Sequence, residues 1–311
     1  MKGILIAALA AVGLGASAQL IVGNDQSGVA PIYVIDVNTG IASPIITGSA
    51  NANKPWGMAA DNVNHILYLN NGGQLYAYSM ASIRCGNPTF TQTTLTYNAG
   101  TVNYVGLGFN PNTGKLMGTR NIATEAVYEI DVTTGVGTLL WAYPTTFDMG
   151  GVEYANDKLY CLSDTAPTGN VRGLYEVDYI GTTTTFISGY PGTETDIDGL
   201  AVHGNNAYYV SDGPMGTQAN FYVYDIPSGT QVGTLPSPFT GSGTFSAATW
   251  APALGPRGRG DVNGDGCVND TDLAIALSDF GSNCSLADMN NDGVVDDIDL
   301  AEVLAAFGEG C

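Results

Sequence analysis

This sequence predicts a mainly β fold ending in a small helical tail, and three observations carry that expectation. A Tyr-centred strand recurs five times between residues 32 and 229, and in four of the copies it runs into an Asp…Gly turn. About four short strands fall in each interval of ~45–50 residues, the period of a propeller blade. The oxygen-bearing pattern of Asp261–Asp272 returns in Asp288–Asp299, 27 residues on, each time ahead of a short apolar run of helical period. The architecture expected is a five-bladed β-propeller, with six as the alternative count, followed by a small α-helical module of tandem calcium-type loops.

The chain opens on a secretory signal at residues 1–18: Lys2, the apolar Ile4–Leu14 and the small-residue site Ala16-Ser17-Ala18. That apolar run is too short to span a bilayer, and no later segment reaches 18 consecutive apolar residues. The expectation is a secreted, extracellular or cell-surface protein with no membrane span. The body then occupies 19–250, a linker 251–259 and the tail 260–311.

Each repeat in the body can be justified strand by strand. The Tyr-centred strands read IYVIDVNTG, LYAYSM, VYEIDVTTG, LYEVDYIG and FYVYDIPSG, with Tyr33, Tyr76, Tyr128, Tyr175 and Tyr222 separated by 43, 52, 47 and 47 residues. Alternating side chains ending in Asp and Gly mark a strand entering a tight hairpin. Asp36, Asp131, Asp178 and Asp225 are therefore read as turn acceptors. A second short strand precedes each (QLIVGN, HILYLN, KLMGTR, KLYCLS, NAYYVS), and four have an earlier Gly-led strand (GMAAD, GLGFN, GVEYA, GLAVH). The first repeat lacks that leading strand, and FSAATWA at 245–251 supplies it from the far end, as in a ring closed by one shared blade. The Tyr-x-apolar-Asp-x-x-x-Gly hairpin resembles YVTN/NHL-type and quinoprotein-like propellers, a likeness that implies the fold without a subfamily.

Charge is concentrated in the tail. Of 29 acidic residues, 12 lie in 260–311, which holds no Lys or Arg, and the chain's net charge is −20. No basic footprint for nucleic acid exists. Cysteines stand at 85, 161, 267, 284 and 311. Export makes pairing expected, and the odd count leaves one over. Cys267 has Cys284 as its first candidate partner and Cys311 as its second. Cys85 and Cys161 fall in non-adjacent blades two and four, so no bond is expected between them.

The tail loops DVNGDGCVNDTD and DMNNDGVVDDID place oxygen donors at positions 1, 3, 5, 9 and 12 with Gly at 6, the spacing a hard cation of six to eight oxygen ligands requires. After each loop Leu273/Leu300, Leu277/Leu304 and Phe280/Phe307 fall at i, i+4 and i+7, an apolar stripe expected to pack against its duplicate, with Gly281 and Gly308 at the helix C-terminus. The approach APALGPRGRG excludes a helix before loop one, so each copy is a loop plus one helix. This resembles the type I dockerin family over 260–311. The resemblance implies two Ca²⁺ ions, the first held by Asp261, Asn263, Asp265, Asn269, Asp272 and the Cys267 carbonyl. Asp288, Asn290, Asp292, Asp296, Asp299 and the Val294 carbonyl would hold the second. It also implies docking onto a cohesin-like or cell-surface partner, often in polysaccharide-degrading assemblies. Asp270-Thr271 and Asp297-Ile298 at positions 10 and 11 differ between copies, and no basic residue follows in either helix.

Turns on one propeller face are tight, whereas connections on the other are long and would gather Trp56, Arg120, Asp148, Arg172, Tyr190, Glu194, Asp196, Asp198 and Asp212. Aromatics beside carboxylates could hold a glycan or a protein, and paired acids could hydrolyse a glycan. No GxSxG occurs, and His65 and His203, the only histidines, sit at strand edges or turns. Glu153 and Asp198, on or beside innermost strands, are the acids best placed for chemistry. Two readings result. One is a secreted carbohydrate- or protein-binding propeller tethered through its calcium module; the alternative is a polysaccharide hydrolase or lyase with the same tail.

Overall fold

In a computed structural model of the chain, the described residues are 19–24, 31–120, 122, 124–143, 147–165, 171–192, 194–211, 220–238, 245–255 and 257–311. The expected signal, 1–18, and Asp212 lie outside them. Five four-stranded antiparallel sheets form the blades of a propeller. Blade 1 runs, from the axis outward, Phe245–Trp250, Gln19–Asn24, Ile32–Asp36 and Ile41–Ile46. The innermost strands of blades 2 to 5 are Gly57–Asp61, Gly106–Asn110, Asp148–Ala155 and Gly199–His203. Each is followed outward by its next three strands in chain order. Ring closure is as the sequence indicates: Leu20 pairs with Trp250, Ile21 with Thr249 and Val22 with Ala248.

Alternation along the middle strands sends successive side chains to different neighbours. Leu20 and Val22 pack toward blade 5, Ile21 toward blade 2. Tyr160 and Leu162 meet blade 5, while Leu159 and Cys161 meet blade 3. A strand buried on both faces must read as a nearly unbroken apolar run, as QLIVGN and KLYCLS do. Cys161 is one such packing residue, an unpaired thiol pushed up to about 12 by burial.

Around the axis the innermost strands approach backbone to backbone. A Cβ on Gly106 would stand 2.1 Å from the Gly150 carbonyl, and one on Gly108 would stand 2.7 Å from the Tyr154 nitrogen. Glycine is what lets blades 3 and 4 meet this closely. The Asp turns also behave as read: Asp131 accepts from the Thr133 and Thr134 amides, and Asp178 from those of Ile180 and Gly181.

Blade 2 carries an insertion between its third and fourth strands, helix α1 (Met80–Arg84), which accounts in part for the long 43-to-52 jump in tyrosine spacing. It receives the tail. Residues 251–259 include a 3-10 helix, Pro252–Leu254, whose Ala253 and Leu254 are buried. Beyond it come α2 (Asp270–Ser278) and α3 (Asp297–Ala306). Tail residues Val262, Ala276, Leu286 and Val303 share one core with Met80, Ile83 and Leu254. Arg84 Nη1 donates to the Gly255 carbonyl at 2.9 Å, and Arg257 Nη1 to those of Leu286 (2.7 Å) and Val262.

Two expectations are corrected here. Cys267 pairs with Cys311, not with its first candidate, and Cys284 instead joins Cys85 of blade 2 across 199 residues. The stripe is covered only at its first position: Leu273 and Leu300 pack against the shared core, whereas Leu277, Phe280, Leu304 and Phe307 remain 47–55% exposed. The helices turn Ala276, Val303 and Ala306 inward instead, because the tail's buried side faces the propeller as well as itself.

Breaking the inter-module bond by Cys284→Ser should cost about 2–5 kcal/mol, as for other disulfides closing long loops. Thermal unfolding should show a lower Tm with a single transition. Unchanged stability would mean that the Cys85 contact contributes nothing.

Candidate functional site

Two acidic constellations stand out, one in the tail and one on the propeller face of long connections.

In the tail each loop is fused to its helix. Asn269, at loop position 9, is the N-cap of α2, and Asp272, at position 12, is the third helical residue; together they make a capping box. Asp296 and Asp299 do the same for α3. Asp272 Oδ1 accepts from the Val262 (2.8 Å) and Asn263 (3.2 Å) amides and its Oδ2 from that of Asn269. Asp299 repeats this with Met289, Asn290 and Asp296. Asp261 accepts from Gly264 and Gly266, and Asp288 from Asp292 and Gly293. Asn263 and Asp265 bond one another, as do Asn290 and Asp292. Each loop is also tied to the opposite helix end: Gly308 N–H donates to Val268 and Gly281 N–H to Val295.

The donor set fits a hard cation. Asp261, Asp272, Asp288 and Asp299 are all under 8% exposed, and their hydrogen bonds come from main-chain amides. Burial pushes the Asp261 carboxyl up, opposed by the Gly266 amide and reinforced by Asp272. Among the described residues none of the four forms an ion pair; the buried Arg257 lies near enough to feel Asp261, Asp272 and Asp288, and divalent ions would offset the remaining cost of burying these carboxylates. The oxygen-only chemistry of Asp, Asn and carbonyl suits Ca²⁺ rather than zinc or copper. Cys267 and Val294 would enter each set only through the backbone carbonyl, and the Cys267 side chain is engaged in its disulfide.

On the propeller, the long-connection face brings together Asp148, Tyr190, Asp196 and Asp198 from the sequence-derived set, with Asp164 and Glu125 added. Asp164, Asp196 and Asp198 each place a carboxylate oxygen within 4.8 Å of the others, and among the described residues no other three Asp, Glu, His or Cys do so. Asp164 Oδ1 accepts from the Tyr190 hydroxyl (2.6 Å) and the Ile197 amide (3.0 Å). Burial, then Asp198, pushes its carboxyl up. Asp148 moves the same way through burial and Asp196. Glu125 is pushed up to about 8, chiefly by burial, while the Met149 amide opposes. Glu194 accepts from the hydroxyls of Tyr222 (3.1 Å) and Ser211 (3.5 Å). Arg120 stacks against Tyr97 and Tyr128, and Arg172 donates to the Asp164 carbonyl. The backbone amide of Trp56 donates to Asn70.

Asp164 and Glu125 escaped the sequence reading. The signal existed in the hairpin register, since Asp148 pairs with Thr165 and so brings acids from both strand ends together. Glu153 lies on the axis, 5% exposed, accepting from Thr249 Oγ1 of blade 1 at 3.1 Å. His65 occupies a turn with φ 55°, and His203 stacks on Trp250 at 4.2 Å.

No family model matches the chain, and no curated protein is similar to it. Among solved structures, the crystal structure of a nidogen/laminin complex is similar at a TM-score of 0.53 and 13% identity, over 75% of this chain and 98% of that one. That likeness concerns the propeller fold alone. Among the described residues no helix is long and apolar enough to cross a membrane.

Burial pushes the Glu125 carboxyl up to about 8, so it holds its proton to higher pH in the folded chain than in the unfolded one. Its stabilisation is complete below about pH 4.5 and is lost as pH rises through about 8. With chelator present, Tm should fall across this window, and Glu125→Gln should flatten part of the fall. A variant with the wild-type slope would contradict the assignment.

Proposed function

We propose that this chain is an exported propeller that binds a glycan or protein on its long-connection face and is tethered through a tail holding two Ca²⁺ ions. The observation that carries the reading is the duplicated loop: the amides that surround the buried position-12 carboxylate are the same three in both copies, and the buried position-1 carboxylate accepts from the position-6 glycine in both. When bound, each ion supplies charge compensation and fixes its loop. The residues that would hold them are Asp261, Asn263, Asp265, Asn269 and Asp272 with the Cys267 carbonyl, then Asp288, Asn290, Asp292, Asp296 and Asp299 with that of Val294.

The tether also has support in what the tail leaves uncovered. Leu277 with Leu304 and Phe280 with Phe307 put the same two exposed apolar residues on or just after both helices, and Ile298 adds to one of them. Unburied apolar groups in a matched pair suit a partner surface, of cohesin-like or cell-surface type. The two disulfides, Cys85–Cys284 and Cys267–Cys311, suit an oxidising compartment. On the propeller, tyrosines beside the Asp164 group suit polar ligands such as glycans, with a hydrolase or lyase as the alternative use of those acids.

Calorimetry on the full chain should give two Ca²⁺ per molecule, falling to one in Asp272→Ala and in Asp299→Ala. Calcium at 100 times the dissociation constant should add about 2.7 kcal/mol per site. No stoichiometric uptake would refute the tail assignment. Incubation with a polysaccharide panel then separates the two propeller readings: binding without products supports the first, and reducing-end release abolished by Asp164→Asn supports the second.

A further inference from the structure

Arg257 stands between the propeller and both acidic loops of the tail. It follows the short helix Pro252–Leu254 by three residues. Its Nη1 donates to the Val262 carbonyl of loop one and, at 2.7 Å, to the Leu286 carbonyl just ahead of loop two. Its Nε and Nη2 are buried and have no acceptor among the described residues. Burial pushes the guanidinium down to about 9, Arg84 adds to this, and Asp261, Asp272 and Asp288 oppose it. The group therefore keeps its charge at neutral pH, and the carboxylates that favour that charge stand at loop positions 1 and 12.

Its hold is stronger on loop one. The Val262 carbonyl and the Asn263 amide belong to one peptide unit, and that amide donates to Asp272 Oδ1 at 3.2 Å. A single peptide thus links the guanidinium to the position-12 carboxylate, and hydrogen bonds linked in this way polarise one another. Arg257 acts on two carboxylates of loop one and on one of loop two. Arg84 acts on Asp288 as well, so both arginines meet loop two at the same ligand. The duplication does not repeat the device: 27 residues on, the place of Arg257 is taken by Cys284, bonded to Cys85. Ligand charge differs in the same sense. Loop one offers three carboxylates, Asp261, Asp265 and Asp272, and loop two offers four, Asp288, Asp292, Asp296 and Asp299. The number of charged ligands tunes the affinity of such loops.

We propose that Arg257 is a positioning residue that compensates loop one before metal arrives and opposes the ion there, so that loop two fills first. The inference rests on the calcium reading above. A fixed positive charge beside a cation site repels the incoming ion, and burial keeps salt from screening it. A purely structural Arg257 would act with the opposite sign, because losing its two carbonyl bonds would loosen both loops and weaken both sites.

The test is a calcium titration of the full chain by calorimetry. Wild type should bind two ions in two steps, with Asp272→Ala removing the weaker step and Asp299→Ala the tighter one. Arg257→Gln is neutral but can still donate to a carbonyl. It should tighten the weaker step about tenfold and the tighter step by less than about threefold. Arg257→Lys keeps the charge and loses the fork, and should leave both steps within about threefold of wild type. Arg257→Met takes the place of Arg257→Gln should the latter fail to fold. A weaker step that is unchanged or weakened in the neutral variant overturns the proposal while the two-ion reading stands. Two equal sites, or loss of the tighter step in Asp272→Ala, also overturn it. No uptake by wild type removes the calcium reading itself and this inference with it.

Discussion

Everything in this molecule depends on the pairing of Gln19–Asn24 with Phe245–Trp250. All six residues of Gln19–Asn24 are buried, so the strand is stable only when sheet edges and blade faces cover it on every side. Without the C-terminal strand, blade 1 would lack its axial edge. The cores it shares with blades 5 and 2 would then open together. The glycines of the innermost strands make the same demand, since blades that touch backbone to backbone leave no side chains to absorb a misplaced neighbour.

Closure also decides where the tail goes. The chain leaves the ring at Trp250 and enters the short helix Pro252–Leu254 at the base of blades 1 and 2. The tail meets the propeller there within a few residues. A module of some fifty residues has too little core to fold well alone. This one adds the surface of α1, two disulfides and the carbonyl bonds of Arg257 to its own small core. One side is thus integrated into the body, and the other leaves the duplicated Leu and Phe side chains at the surface.

What could be read in the sequence was what depends on near neighbours. Strand alternation, Asp-Gly turns and the displaced FSAATWA segment are local patterns, and all reappear in the sheets. Asp148, Tyr190, Asp196 and Asp198 were legible because long connections on one face must converge around the axis. The failures are tertiary. The helix stripe was misread because the surface covering the tail, Met80 and Ile83, lies some 170 residues or more earlier in the chain. The Cys85–Cys284 bond is hidden for the same reason. Asp164 and Glu125 look like ordinary loop and strand-edge acids until blades 3, 4 and 5 bring their neighbours beside them.

Native-state hydrogen exchange is the most direct test of ring closure as the organising constraint. The amides of Leu20, Ile21 and Val22 should exchange as slowly as those of Tyr160, Cys161 and Leu162 in the middle of blade 4, opening only with global unfolding. Early exchange of the N-terminal strand while blade 4 remains protected would contradict it: the ring would then hold without its clasp.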